Sequence, residues 1–519
     1  MRRLIFAILI AAVTLLALEG ALALAGRPAL LRSLPLLWGG AAPDAAWRPL
    51  SDEERRRAAA ENPGIWRAHP DPRVGYALRT RSELAVREGQ IRSDGLGLRR
   101  RPGPPREGAL RIAVMGASIP FGYGLDDDEV LAHRLELALD ATHGPDARPV
   151  ECRTVAMGRW NVRNAVSFLL DHLPDIRPDL VLCMPFENDL SDTDQVDETG
   201  HRRAAPDPAS PDPWLSVRAD DQAALTLRLQ DARRRGVVAT GFDDIGTVAL
   251  CADISPESTR RYDENAALLL RLRDELAATG GRLVYLVYDE GPHSWHLLRR
   301  LLAAAPDLPV IPLLQSVPAE FTLGYDAHPS AGTVDVLAGW VAADLLRLGL
   351  VDAGSGRTPP AAPSEYLALR ATARSREQVD ALARAARDQA LAQLQPVIDF
   401  RDGRGIRQLF GGCSTLVTGG PRLLALLARR GSLVVELAPL VERPDLYPLR
   451  VQVLADGAPL GELLLQADSP ASARFALPPG GPGVEIKLAA EDWIVSVFGE
   501  WEAAETAAYR PLRLACEDP

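Results

Sequence analysis

Three short segments hold residue types that could do acyl chemistry together. Ser118 stands in Gly116-Ala117-Ser118 at the end of an apolar run, and Asn188 stands in Glu187-Asn188-Asp189 at the end of a second. Asp326-Ala327-His328-Pro329 precedes the helical pattern that closes the same region. A serine hydroxyl is a weak nucleophile until an adjacent base can take its proton. Imidazole suits that task because its unperturbed pKa lies near neutrality. A carboxylate on the other ring nitrogen fixes the tautomer and stabilises the imidazolium as it forms. The oxyanion made by attack on a carbonyl then needs donors, and one side-chain donor is worth about 3–4 kcal/mol. Taken singly, Gly-Ala-Ser is an ordinary loop tripeptide, Asn-Asp an ordinary turn or helix cap, and Asp-x-His-Pro an ordinary surface turn. Their order and shared setting carry the argument.

The elements that must position them alternate. Short β-rich runs occur at Arg111–Met115, Val150–Ala156, Asp179–Met184, Arg282–Tyr288 and Pro309–Leu313. Helical patterns occur at Asp128–Ala141, Val162–Leu173, Ser258–Thr279, Ser294–Ala305 and Ala331–Leu348. Strand–helix alternation means a parallel sheet with helices on both faces. Right-handed crossovers then make it a three-layer α/β/α sandwich. Chemistry in such sheets sits at the carboxyl ends of the strands, where Ser118 and Asn188 fall.

At these positions the chain resembles the SGNH (GDSL-like) hydrolase superfamily. Arg111-Ile-Ala-Val-Met-Gly-Ala-Ser-Ile-Pro-Phe-Gly-Tyr-Gly124 matches the family's strand followed by Gly-Asp-Ser, with Ala117 in place of the aspartate. Thr154-Val-Ala-Met-Gly-Arg-Trp-Asn161 matches the second block, where a main-chain N–H serves the oxyanion; Gly158 is the natural match and Arg159 an alternative. Asp179-Leu-Val-Leu-Cys-Met-Pro-Phe-Glu-Asn-Asp-Leu190 matches the third. Asp326-Ala-His-Pro-Ser-Ala-Gly332 matches the last in part, with Ser330 in place of asparagine and the glycine one position early. The resemblance implies Ser118 as nucleophile, His328 as general base and Asp326 as its orienter. It implies Ser118 N–H, Gly158 N–H and the Asn188 amide as the oxyanion hole. His69-Pro-Asp-Pro-Arg-Val-Gly-Tyr76 and Arg92-Ser-Asp-Gly-Leu-Gly-Leu-Arg99 resemble the lead-in of membrane-associated bacterial members, extending the likeness to about residues 69–350. The implied activity is ester hydrolysis or O-acyl transfer through an acyl-serine, on an acylated carbohydrate or a small ester or lipid. A contrasting reading is a catalytically inactive glycan-binding or envelope-assembly protein that kept the fold; Ala117, Ser330 and the unplaced second-block donor suit it. A phosphate-handling α/β protein is disfavoured, because the chain has no Gly-rich phosphate loop.

At 519 residues the chain is long enough for several domains. Its net charge of −11 argues against nucleic acid as a partner. Cys152, Cys183, Cys251, Cys413 and Cys516 show no metal-ligand spacing, and an odd number argues against a complete disulfide framework. No metal and no cofactor is expected. Cys152 and Cys183 fall in expected strands and read as small core residues.

Residues 1–26 open with Arg2-Arg3 and continue as an apolar run long enough to span a bilayer at about 20 residues. They read as a membrane anchor, or as a signal peptide cleaved near Ala23-Leu24-Ala25, and both place the rest outside the cytoplasm. Residues 27–105 read as spacer and lead-in arm, with a short helix near Ser51, and 106–350 as the hydrolase-like domain. The Pro-rich insertion after Leu190 reads as a lid, a substrate wall or a disordered excursion. Residues 351–399 read as a helical connector, with its helix over Ser364–Gln395. Residues 400–519 show short strands at Ser432–Leu437, Leu449–Ala455, Leu460–Gln466, Ala473–Leu477, Val484–Leu488 and Trp493–Phe498, with turn signals such as Asp456-Gly457. That pattern predicts an accessory all-β sandwich. Trp493 and Trp501 could be sugar platforms or core residues.

Overall fold

The structure is a computed structural model. It describes residues 66–86, 89–142, 147–186, 253–288, 290–314, 328–352, 370–399, 422–439, 447–490, 493–498, 502–507 and 509–518, with the short pieces 195–196, 202–203, 239–240, 322 and 415–416. The N-terminal run, the helix expected near Ser51 and most of the insertion after Leu190 lie outside the described residues.

Five strands form the central sheet: β1 (Leu110–Gly116), β2 (Val150–Ala156), β3 (Leu180–Met184), β4 (Arg282–Val287) and β5 (Val310–Pro312). Their spatial order is β2-β1-β3-β4-β5, and every pairing is parallel. Successive side chains of a strand point to opposite faces, so a sheet covered on both sides needs near-continuous apolar runs. In β1, Ile112 and Val114 pack on one face with α2 (Leu131–Thr142) and α7 (Ala331–Arg347). Ala113 and Met115 pack on the other with α3 (Val162–Asp171), α5 (Pro256–Ala278) and α6 (Pro292–Ala304). The three-layer α/β/α reading therefore holds, with boundaries shifted by a few residues. Between α3 and β3 lies the one-turn α4 (Leu173–Ile176), which starts at the last residue of the helix expected over Val162–Leu173. Cys152 and Cys183 are buried among the strands, neither in a disulfide.

The helix expected over Ser364–Gln395 begins later, as α8 (Arg376–Gln393). Ser375 caps it in a reciprocal box with Gln378, which satisfies two otherwise orphaned N–H groups and sets the start. Upstream, Ala371 N–H bonds Leu313 O, and Arg370 bridges Leu314. This stretch runs along the sheet beside β5 rather than as helix, because pairing there satisfies its backbone groups.

The C-terminal region is antiparallel β. Its strands are β6 (Val397–Asp399), β7 (Thr415–Leu416), β8 (Arg422–Ala428), β9 (Ser432–Pro439), β10 (Leu449–Ala455), β11 (Ala458–Leu465), β12 (Ala471–Ala476), β13 (Gly483–Ala490), β14 (Trp493–Phe498), β15 (Glu502–Ala507) and β16 (Tyr509–Glu517). One sheet runs β6-β16-β9-β12 and the other β7-β8-β13-β10-β11. An aliphatic core including Leu433, Val435, Val451, Val453, Ile486 and Leu488 contains residues of both. Asp456 and Gly457 form the two-residue turn between β10 and β11, both at positive φ (48° and 79°). That combination matches the right-handed strand twist. Strand β15 also pairs with Ala239–Thr240 and with β14. Trp493 lies on β14, and Trp501 lies outside the described residues. The β-region meets the start of α5, where Arg261 lies 3.9 Å from Glu485 and Gly483 sits against the Ile254 carbonyl.

Candidate active site

Strand register levels the site. Gly116 pairs with Ala156 on one side and Met184 on the other, so the loops after β1, β2 and β3 leave the sheet from neighbouring points. Neighbouring strands are about 4.8 Å apart, and the order reverses between β2 and β3 around β1, which is the crevice where such sheets bind ligands. Gly116 is required there: a Cβ would stand 2.6 Å from the Met184 carbonyl.

Ser118 opens the one-turn α1 (Ser118–Phe121), which closes on Gly122 in the left-handed conformation. A Cβ on Gly122 would stand 2.5 Å from Val130 Cγ1, so this bend also needs glycine. Ala117 precedes the serine and is buried, with no side-chain cap on the turn. His328 arrives from the segment before α7, 210 positions along the chain, and its Nε2 lies 2.7 Å from Ser118 Oγ. Ser330, two residues on, caps α7 by accepting from Thr333 N–H. Asparagine and serine are equivalent choices for that task, so the departure at this position keeps the cap that fixes the histidine segment to the helix.

The ring of Tyr123 lies 4.7 Å from the His328 ring, tilted by 35°. Nothing in the sequence reading singled out Tyr123; its place in Phe-Gly-Tyr-Gly just after the serine is the signal that could have.

Gly158 is buried in the turn Met157–Trp160, closed by Trp160 N–H to Met157 O at 3.2 Å. Arg159 takes φ 67° in this turn, a left-handed conformation that costs a residue other than glycine on the order of 1 kcal/mol. Tyr76 Oη donates to Gly158 O at 2.6 Å, and Trp160 Nε1 donates to Tyr76 O at 3.0 Å. A trans peptide points its C=O and N–H to opposite sides, so the Arg159 N–H faces away from Tyr76. Asn188 and Asp326 lie outside the described residues. Of the sequence-derived set, the structure brings Ser118 and His328 together and places Gly158 after the adjoining strand.

Below the serine turn lies a guanidinium. Arg99 is 2 % exposed. Its Nη1 donates to Phe121 O (2.9 Å) and Gly122 O (2.8 Å), Nη2 to Leu125 O (2.6 Å), and Nε to Asp127 Oδ1 (3.1 Å). Burial pushes its pKa down while the Asp127 charge opposes the shift, and an arginine so held stays charged. Among the described residues, no cluster of three or more His, Cys, Asp or Glu side chains could hold a metal ion.

No family model matches the sequence, and no curated protein matches it. Solved structures of similar course include an esterase from Pseudoalteromonas sp., 13 % identical over 46 % of this chain and 98 % of that one, with a TM-score of 0.28. A second is a putative lipolytic protein of the G-D-S-L family from Desulfitobacterium hafniense, 11 % identical over 45 % of this chain and 98 % of that one, TM-score 0.26. A third is a two-domain esterase active on acetylated mannans, 12 % identical over 79 % of this chain and 92 % of that one, TM-score 0.29. By its own strand order the chain has a three-layer α/β/α fold with a doubly wound parallel sheet, with a serine after β1 and a histidine just before α7.

Proposed function

We propose that the protein is a serine acyl-ester hydrolase or O-acyltransferase, acting on an acylated carbohydrate or a small ester or lipid. One observation carries the reading: a histidine Nε2 lies 2.7 Å from a serine Oγ at the end of the central strand, across 210 positions of sequence. Proximity of nucleophile and base is the geometric requirement for activating serine.

The proposed chemistry follows from the residue types. Ser118 Oγ attacks the acyl carbon as its proton passes to His328 Nε2. The tetrahedral oxyanion is held by Ser118 N–H, a main-chain N–H of the Gly158 turn and the Asn188 amide. His328 then returns the proton to the leaving alcohol, and acyl-Ser118 remains. A water, or a sugar hydroxyl in the transferase case, gives its proton to His328 and attacks the ester, which frees Ser118. Asp326 is assigned to the Nδ1–H of His328, keeping Nε2 free to accept.

We place the catalytic region outside the cytoplasm, behind an anchor or signal in residues 1–26, on the strength of Arg2-Arg3 and the apolar run. Among the described residues no helix is long and apolar enough to cross a membrane. The C-terminal β-region is assigned an accessory role.

The test is a fluorophosphonate probe on protein lacking residues 1–26. Labelling that Ser118→Ala abolishes, with the labelled peptide containing Ser118, is the expected result. Absence of labelling in folded protein would favour the contrasting reading, a binding or assembly protein on the same fold, to which Ala117 lends itself.

A further inference from the structure

The two lead-in segments, His69–Tyr76 and Arg92–Arg99, end in buried residues, and each touches a different site loop. Asp94 Oδ1 accepts from Leu96 N–H (2.8 Å) and Leu98 N–H (3.1 Å), curling the second segment into a tight loop. Gly97 makes the curl possible: its φ is 81°, and a Cβ there would stand 2.5 Å from the Leu78 carbonyl. The loop sends Arg99 inward, where its donors take the carbonyls of Phe121, Gly122 and Leu125 at the end of the serine turn. Phe121 O and Gly122 O lie at the C-terminal end of the one-turn helix, where carbonyls lack intrahelical donors, and Gly122 O accepts also from Leu125 N–H; Leu125 O lies in the loop beyond. Asp127 neutralises the guanidinium and also accepts from Arg92 N–H at 3.0 Å, tying the ion pair to the same segment. The first segment is held by Asn164 Nδ2, which donates to Arg73 O and Val74 O, and it delivers Tyr76 to Gly158 O.

We propose that the lead-in arm is part of the catalytic apparatus, with Arg99 positioning the turn that carries Ser118 and Tyr76 positioning the turn that offers the second oxyanion N–H. This rests on the hydrolase reading above. Arg99 and Tyr76 touch no reacting atom. Each fixes a main-chain group whose direction the chemistry depends on, and a misplacement of about 1 Å can cost on the order of 100-fold in rate.

Tyr76→Phe isolates the hydroxyl, because the edge-on packing of ring 76 against Trp66 (centroids 5.2 Å apart) is kept. Arg99→Lys keeps the charge but replaces a planar fork that serves four acceptors with a point donor. The full chain and both variants are compared by p-nitrophenyl ester kinetics and by fluorophosphonate labelling rate, well below their melting temperatures. The expected result is a fall in kcat and in labelling rate of about 10- to 100-fold, with KM little changed. Wild-type rates in both folded variants would overturn the positioning roles and leave the hydrolase reading intact. Losses that track unfolding, or that fall on KM alone, would also overturn them, since a merely structural arm predicts that. Should Arg99→Lys fail to fold, Tyr76→Phe decides. A wild type that neither labels nor turns over ester overturns the hydrolase reading and, with it, this assignment.

Discussion

The two β-built regions of this chain bury different things. Around the parallel sheet the interior holds Arg99, Asp127, Asn161, Asn164, Asp253, His293 and His296, all within a few per cent of full burial. In the C-terminal region, among residues whose burial is described, the buried polar side chains are Ser432 and Glu485, and the remainder of the core is apolar. Burying a polar group costs free energy unless it is hydrogen-bonded, so a region that does it repeatedly is holding particular geometries. An aliphatic interior holds shape alone. On the proposed function the chemistry belongs to the parallel sheet and packing to the β-region, and that comparison can be broken at several points.

The largest effect falls at the site. Ser118→Ala or His328→Ala is expected to lower kcat for a p-nitrophenyl ester by about 10⁴- to 10⁶-fold, and the double variant should be little worse than either. Circular dichroism checks that the fold persists. Additive losses would mean that the two residues do not act as a unit.

A core truncation in the other region should separate stability from activity. Leu433 is fully buried in the β-region, and Leu433→Ala is expected to cost about 2–5 kcal/mol in urea unfolding. Turnover per folded molecule should not change. A specific loss of turnover would show that the β-region contributes to the active site.

Acid should act on the parallel-sheet region through its buried polar groups. Burial holds the His296 imidazole down at about 4, a shift that the Asp253 charge only partly opposes. The unfolded chain binds a proton at this residue below about pH 6.5 and the folded one does not, so stability falls as pH drops from 6.5 toward 4. The loss is about 3 kcal/mol by linkage. Urea midpoints at pH 7, 5.5 and 4 measure it, and His296→Phe should flatten the slope; an unchanged slope would assign the acid sensitivity elsewhere. The smallest effect is expected at the helix cap. Ser330→Ala should cost about 1 kcal/mol and Ser330→Asn much less, read by thermal melting.

Legibility followed the range of the interactions. The apolar runs of β1 to β4 and the helices between them were readable because a sheet covered on both faces demands those runs whatever packs on them. Strand β8 was missed, since Arg-Leu-Leu-Ala-Leu-Leu-Ala shows no period-two alternation and its residues favour helix. Strands β15 and β16 were missed as well, each defined by partners distant in sequence, at Ala239–Thr240 and at β9. The connector helix was placed too early because its Ala/Arg content is helical throughout, whereas the capping box at Ser375 sets where it starts.

By itself, the sequence determined the types of the candidate site residues, their order and the strand ends that carry them, since these depend on local pattern and on the chemistry of side chains. Only the tertiary structure brought His328 to 2.7 Å from Ser118, turned Arg159 left-handed under the hydroxyl of Tyr76, and set the guanidinium of Arg99 beneath the serine turn. Those contacts join segments dozens to hundreds of residues apart. Their geometry comes from three-dimensional packing and from the need of buried polar groups for partners, and no local pattern encodes which partner each will find.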